Sequence, residues 1–297
     1  MKKWIRNGMM VGMAALLVTL FGCANNQAKV ADQKTSSISN TASSPKPKNS
    51  SAPEKVSGSN EQQNPDNVYI TVEADAKLGS DGKTHDAFTN GDITLTEGQP
   101  VTLHFYNYDE APHSYTAPDL GLNIELSGSK KDGEPAITTF TFTPAKTGSF
   151  EWKCMDPCDM ENGQWAMTHD GYMKGAIKVV PAKDAVQHVS LVINADYKLG
   201  TDGELHDAFT PGDFTVKAGQ PVELTIYNFD DQGHPFVSSN LGLNVKVDPS
   251  QKEGQPSVTT TTFVPAKAGK YEWHCGLPCD DWAMAHDNYM MGYVTVE

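Results

Sequence analysis

"DITLTEGQPVTLHFYNY" spans residues 92–108. Ile93 and Leu95, then Val101, Leu103 and Phe105, alternate with polar side chains, the period-two pattern of half-buried β-strands. Gly98-Gln99-Pro100 separates the two runs with turn chemistry. Working outward, strand-like residue content returns in "VYITVEA" (68–74), "ITTFTFTPAKTGSFEWKC" (137–154) and "KGAIKVV" (174–180), and no segment of ten residues carries a convincing helical stripe. The surrounding forty residues, "ADAKLGSDGKTHDAFTNGDITLTEGQPVTLHFYNYDEAPH" (74–113), reappear as "ADYKLGTDGELHDAFTPGDFTVKAGQPVELTIYNFDDQGH" (195–234), at a constant offset of 121 residues. The register holds through "DLGLN" and "NLGLN" and through "TPAKTGSFEWKC" and "VPAKAGKYEWHC"; after the cysteines the first copy carries four extra residues. A repeat of about 115 residues is domain-sized rather than solenoid-sized. These patterns predict an all-β chain with two tandem Greek-key β-sandwich domains, residues 67–182 and 186–297.

The first residues read as an export signal. Lys2, Lys3 and Arg6 precede a short apolar run that ends in Leu20-Phe21-Gly22-Cys23, which resembles a bacterial lipobox with Cys23 as the lipidated residue. An uncleaved anchor is the alternative over residues 1–23; either way the folded part is expected outside the cytoplasm and tethered to the bacterial cell membrane. Residues 24–66 are rich in Ser, Pro and Lys and nearly free of large apolar groups, the composition of a disordered tether. A formal net charge of -14 argues against nucleic acid and anionic lipid as partners.

The duplication marks which reactive residues recur: His113/His234, Cys154/Cys275, Cys158/Cys279, His169/His286 and Met173/Met290. His85/His206 and Met167/Met284 recur too, whereas His104, His188 and His274 have no counterpart. In each copy one His follows a strand, and a later strand runs into a Cys-x3-Cys pair followed by His-x3-Met on a loop before the last strand. Two imidazoles, soft thiolates and a thioether suit copper, one or two ions per domain. The competing reading is structural: paired cysteines outside the cytoplasm commonly oxidise, and two disulfides would leave only Cys23 over.

With Asn-x-Asp…His, then Cys-x3-Cys…His-x3-Met-x-Gly before a terminal strand, the chain resembles the cupredoxins over both copies. Its two cysteines look most like those of the CuA domain of cytochrome c oxidase subunit II and nitrous oxide reductase. That resemblance implies bridging thiolates, one His per copper, the Met, and a backbone carbonyl that would belong to Asp156 or Leu277. The loops here are longer than those of CuA, with ten and six residues between second Cys and His, so a mononuclear centre stays open beside the dinuclear one. The chain has no His-x-His pair for a trinuclear copper centre and no Ser/His/Asp or phosphate-cradling motif. The expected role is therefore an electron carrier rather than an enzyme, with an exported redox protein or oxidase as partner and no small-molecule substrate. Copper delivery for oxidase assembly and a metal-free disulfide-bonded binding module are the alternatives.

Overall fold

The computed structural model describes residues 64–297. The expected export signal, Cys23 and nearly all of the expected tether lie outside the described residues. The first copy forms nine strands: β1 (Asp66–Leu78), β2 (Thr84–Phe88), β3 (Ile93–Thr96), β4 (Val101–Asn107), β5 (His113–Ala117), β6 (Leu122–Leu126), β7 (Ala136–Phe142), β8 (Gly148–Lys153) and β9 (Lys174–Val180). The second repeats them as β10 (Gln187–Leu199), β11 (Leu205–Thr210), β12 (Phe214–Val216), β13 (Val222–Asn228), β14 (Phe236–Ser238), β15 (Leu243–Val245), β16 (Ser257–Phe263), β17 (Gly269–Cys275) and β18 (Met291–Val296). Each copy builds a four-stranded sheet, β2-β1-β4-β7 or β11-β10-β13-β16, and a five-stranded one, β3-β9-β8-β5-β6 or β12-β18-β17-β14-β15. Consecutive strands repeatedly change sheet, and β1/β4 and β3/β9 pair in parallel, so the chain is all-β with crossing connections and sandwich layers. Among the described residues no helix is long and apolar enough to cross a membrane.

Alternation decides which groups enter each core. On β8, Phe150 and Trp152 face inward while Ser149, Glu151 and Lys153 face out. Period two then carries Cys154 inward at the strand's end. Trp152 is fully buried, stacked on Tyr115 at 4.7 Å and edge-on to Phe88. Its counterpart Trp273 stacks on Phe236 at 4.8 Å, with Cys275 two residues on. Each large aromatic thus anchors the strand that delivers the first cysteine.

The two sandwiches meet through β1 and β10 about a pseudo-twofold axis. Leu78 N–H donates to Gly254 O at 2.9 Å, and at the same offset Leu199 N–H donates to Gly133 O, also at 2.9 Å. Asn194 Nδ2 donates to Glu73 Oε1 at 2.6 Å, so each residue pairs with its own counterpart, as groups on an isologous axis do. Gly133 and Gly254 hold φ of +74° and +70°, and a Cβ at either would run into the other sandwich's backbone at Leu199 N or Leu78 N.

Candidate metal centres

The His at the head of β5 is aimed by the loop before it. Asn107 is buried at the end of β4; its Nδ2 donates to Ala111 O and Ser127 O, and its Oδ1 accepts from Asp109 N. The loop so pinned presents Asp109 Oδ2 to His113 Nε2 at 2.9 Å. With Nε2 held by a carboxylate, Nδ1 is left facing the cysteines, at 3.0 Å from Cys158 Sγ and 3.8 Å from Cys154 Sγ. The two sulfurs are 2.9 Å apart and both are free thiols. Asp156 O, between them in sequence, accepts from Cys158 Sγ at 3.2 Å and lies 3.7 Å from Cys154 Sγ.

The second copy reproduces this from Asn228, Asp230 and His234. His234 Nε2 meets Asp230 Oδ2 at 2.6 Å, and Nδ1 lies 3.2 Å from Cys279 Sγ and 3.8 Å from Cys275 Sγ. Leu277 O accepts from Cys279 Sγ at 3.2 Å. His113/Cys154/Cys158 and His234/Cys275/Cys279 each place their donor atoms within 4.8 Å of one another. Apart from half-buried Cys279, every member is buried.

Electrostatics within each cluster follow from burying three ionisable groups together. Cys154 is lowered to about 5, chiefly by the hydrogen bond from Cys158 and further by His113, while Cys158 is held up because the same proton must serve both sulfurs. Burial pushes His113 down, but Asp109 and the Cys154 thiolate outweigh it and hold the imidazole at about 9. Cys275, Cys279 and His234 show the same pattern, with Cys275 and His234 at about 5 and 9. A cation entering either cluster would displace protons from sulfur and from Nδ1.

His169 and His286, expected as ligands, are not gathered into these clusters. His169 Nδ1 bonds Trp165 O at 2.8 Å and its ring stacks on the Trp165 indole at 3.6 Å; His286 does the same on Trp282 at 3.7 Å. The longer loops make the difference, since a turn of 3-10 helix before each His lets the imidazole fold back on its own Trp. Met173 and Met290 are fully buried, and their backbone carbonyls accept from Cys154 N and Cys275 N at 2.8 and 2.7 Å. Those bonds seat each Met beside the first cysteine. Met167 and Met284 are half-buried against the core, and exposed His274 bonds its own neighbour, Cys275 O.

His85 and His206, which recur outside the expected ligand set, pack against the same loops. Each stacks on the opposite face of the same Trp, at 4.2 and 4.0 Å, giving a His–Trp–His sandwich in both copies. The available signal was their recurrence within "DGKTHDAF" and "DGELHDAF".

Two cysteine sulfurs, one imidazole nitrogen turned toward them by its aspartate, and a converging carbonyl make a soft, mostly enclosed donor set, which fits copper. Residues 177–291 match the family model described as a cupredoxin-like domain. Nitrous-oxide reductase of Stutzerimonas stutzeri is 29% identical over 128 residues, covering 39% of this chain and 18% of that protein. Nitrous-oxide reductase of Pseudomonas fluorescens is 34% identical over 88 residues, covering 29% of this chain and 12% of that protein. The chain therefore spans less than a fifth of the length of these curated relatives. Among solved structures, a blue copper oxidase from Nitrosomonas europaea aligns over 77% of this chain and 85% of its own, at 15% identity and a TM-score of 0.28. Residues 177–291 thus match a cupredoxin-like domain, and part of the chain is similar to part of nitrous-oxide reductase.

Proposed function

We propose that this chain is an extracytoplasmic, membrane-tethered copper protein that carries single electrons, one copper centre being held in each sandwich. The observation that carries the reading is the convergence, twice, of one imidazole nitrogen and two cysteine sulfurs within 4.8 Å at the same end of a β-sandwich. His113, Cys154 and Cys158 would hold the metal in the first copy, and His234, Cys275 and Cys279 in the second. The carbonyls of Asp156 and Leu277 converge on the same sulfurs, and Met173 and Met290 stand beside the first cysteines; His169 and His286 would join the set by turning off Trp165 and Trp282. Copper bound there would supply one-electron chemistry, because thiolate favours Cu(I) and imidazole tolerates Cu(II). The chain's own residues do the rest. Asp109 and Asp230 turn the imidazoles toward the sulfurs, Trp152 and Trp273 anchor the cysteine strands, and the buried surroundings limit water.

On this reading the lipid at Cys23 and the tether of residues 24–66 hold the domains near the membrane, and the partner is an exported redox protein or oxidase. The chain would have no substrate of its own. Copper delivery is a second reading, favoured by Met155 and Met160, whose exposed side chains stand between the first pair of cysteines and just beyond it. Copper titration of the anaerobically reduced chain, followed by absorption and electron paramagnetic resonance spectra, tests the proposal. A thiolate-to-copper band is expected, and Cys279→Ser should abolish the second copy's share of it. Spin shared over two coppers would mark a dinuclear centre, and Cys275→Ser then removes that signature alone. No such band in either copy would sink the electron-carrier reading.

A further inference from the structure

The second cysteine of each pair is followed at once by an aspartate, and in both copies that aspartate is held by a buried histidine from β2 or β11. Asp159 Oδ2 lies 2.8 Å from His85 Nδ1; Asp280 Oδ2 lies 2.6 Å from His206 Nδ1. Each imidazole is gripped on its other nitrogen as well, His85 by Asp81 at 3.0 Å and His206 by Asp202 at 3.0 Å. Its face is covered by Trp165 or Trp282, with Tyr172 or Tyr289 edge-on. His85 is fully buried and His206 nearly so, and neither is a member of a His–Cys–Cys cluster.

The aspartates reach further. Asp159 Oδ2 also accepts from Ala166 N at 2.8 Å, and Asp280 Oδ1 from Ala283 N at 3.0 Å and Trp282 N at 2.8 Å. Each therefore ties the residue after the second cysteine to the far side of the ligand loop. The four-residue insertion of the first copy lies inside this tie, closed off where Gln164 N donates to Asp159 O at 2.8 Å.

We propose that His85 and His206 are positioning residues that act through Asp159 and Asp280 to fix Cys158 and Cys279 in their clusters. A loop free to change length needs one rigid reference to the sheet, and a histidine clamped between two carboxylates and under an indole provides it. The inference extends the copper reading to residues outside the donor set, in the way outer-shell partners hold ligands elsewhere.

In the full chain each copy is the control for the other. Timed alkylation of the metal-free protein with iodoacetamide, read peptide by peptide, gives a separate rate for each cysteine. His206→Leu should speed Cys279 about tenfold relative to Cys275, leave Cys154 and Cys158 unchanged, and lower Cu(I) affinity of the second copy by about 10–100-fold against a chelator. His206→Gln, whose amide can still donate to Asp280, should restore most of both. Unchanged rates would overturn the proposal, and so would equal acceleration of Cys275 and Cys279 with a lowered melting temperature, which marks a core filler. Should His206→Leu fail to fold, Asp202→Ala loosens the same clamp from its rim; acceleration confined to Cys279 supports the proposal and none refutes it. If the wild-type chain takes up no copper, the functional reading falls while the Cys279-to-Cys275 ratio still decides this one.

Discussion

The two ligand loops reach the same cluster from different backbones. In the first copy Asp159 and Gln164 sit in the left-handed region, with φ of +53° and +64°, and the chain between them bulges out as a short turn. In the second copy Asp280, Asp281 and Trp282 follow one another with no such residue, and Met284 N bonds directly to Asp280 O at 2.9 Å. The chemistry around the sulfurs diverges too. Ser114 N–H donates to Cys154 Sγ at 3.4 Å, whereas Pro235, in the equivalent place, has no N–H to give. Between the cysteines stand Met155 and Asp156 in one copy and Gly276 and Leu277 in the other. One geometry with two electrostatic surroundings implies two centres of unequal character rather than a doubled capacity.

The largest expected effect comes from exchanging the residues between the cysteines. The hydrogen bond with Cys154 and burial raise the Cys158 thiol most, and the negative charge of Asp156 adds a smaller push; such a charge also favours the more positive, oxidised state of a bound metal. Asp156→Leu should therefore raise the reduction potential of the first centre, and Leu277→Asp should lower that of the second. The shift should be on the order of 1 kcal/mol, the scale of a nearby charge in a half-exposed setting. Redox titration of copper-loaded chains, with the other copy silenced by Cys→Ser, measures it. Equal potentials that ignore the exchange would erase the distinction between the copies.

How much of this was legible beforehand depends on whether an interaction is local. Trp152 and Cys154, or Trp273 and Cys275, announce themselves because period two on a strand fixes which side chains turn inward. The meeting of His113 with a cysteine pair some forty residues away was legible through the repeat, which showed both sides recurring together. The parking of His169 and His286 on Trp165 and Trp282 was not, because ring stacking across a 3-10 turn leaves no periodic trace. Nor was the role of His85, whose partners Asp81 and Asp159 are ordinary surface residue types until the fold closes over them. The reciprocal bonds of Leu78 with Gly254 and Leu199 with Gly133 belong to the packing of whole domains, beyond any local pattern.

A smaller effect distinguishes the two clamps by pH. Burial pushes His85 down, but Asp81 and Asp159 more than offset it, so the imidazole stays raised; His206 behaves likewise between Asp280 and Asp202. A raised histidine contributes stability that is fully present below its unfolded value of about 6.5 and is lost as pH rises through the folded one. Asp159 is about 1% exposed and Asp280 18%, so the first clamp is less screened by water. His85→Gln should therefore destabilise more than His206→Gln at pH 6, and the gap should shrink by pH 9. Urea midpoints at the two pH values measure it; a constant gap would mean that packing, not charge, separates the clamps.

The smallest expected effect comes from removing the insertion itself. Deleting residues 160–163 joins Asp159 to Gln164-Trp165-Ala166, matching the Asp280-Asp281-Trp282-Ala283 run of the second copy. The bonds that the clamp needs, Asp159 to His85 and to Ala166 N, lie outside the deleted residues. Lost with the bulge are the Asn162 bonds to Thr84 O and Asp159 Oδ1, and the need for left-handed φ at Asp159 and Gln164. Left-handed backbone costs a residue with a Cβ about 1–2 kcal/mol, so relief at two residues is comparable to the loss of two partly exposed hydrogen bonds at roughly 0.5–1.5 kcal/mol each. The melting temperature should thus stay within a few degrees, and copper uptake by the first copy should be unchanged, both measurable on one purified variant. If uptake instead disappears, the insertion shapes the site directly, and the equivalence of the two loops breaks at the one place where their lengths differ.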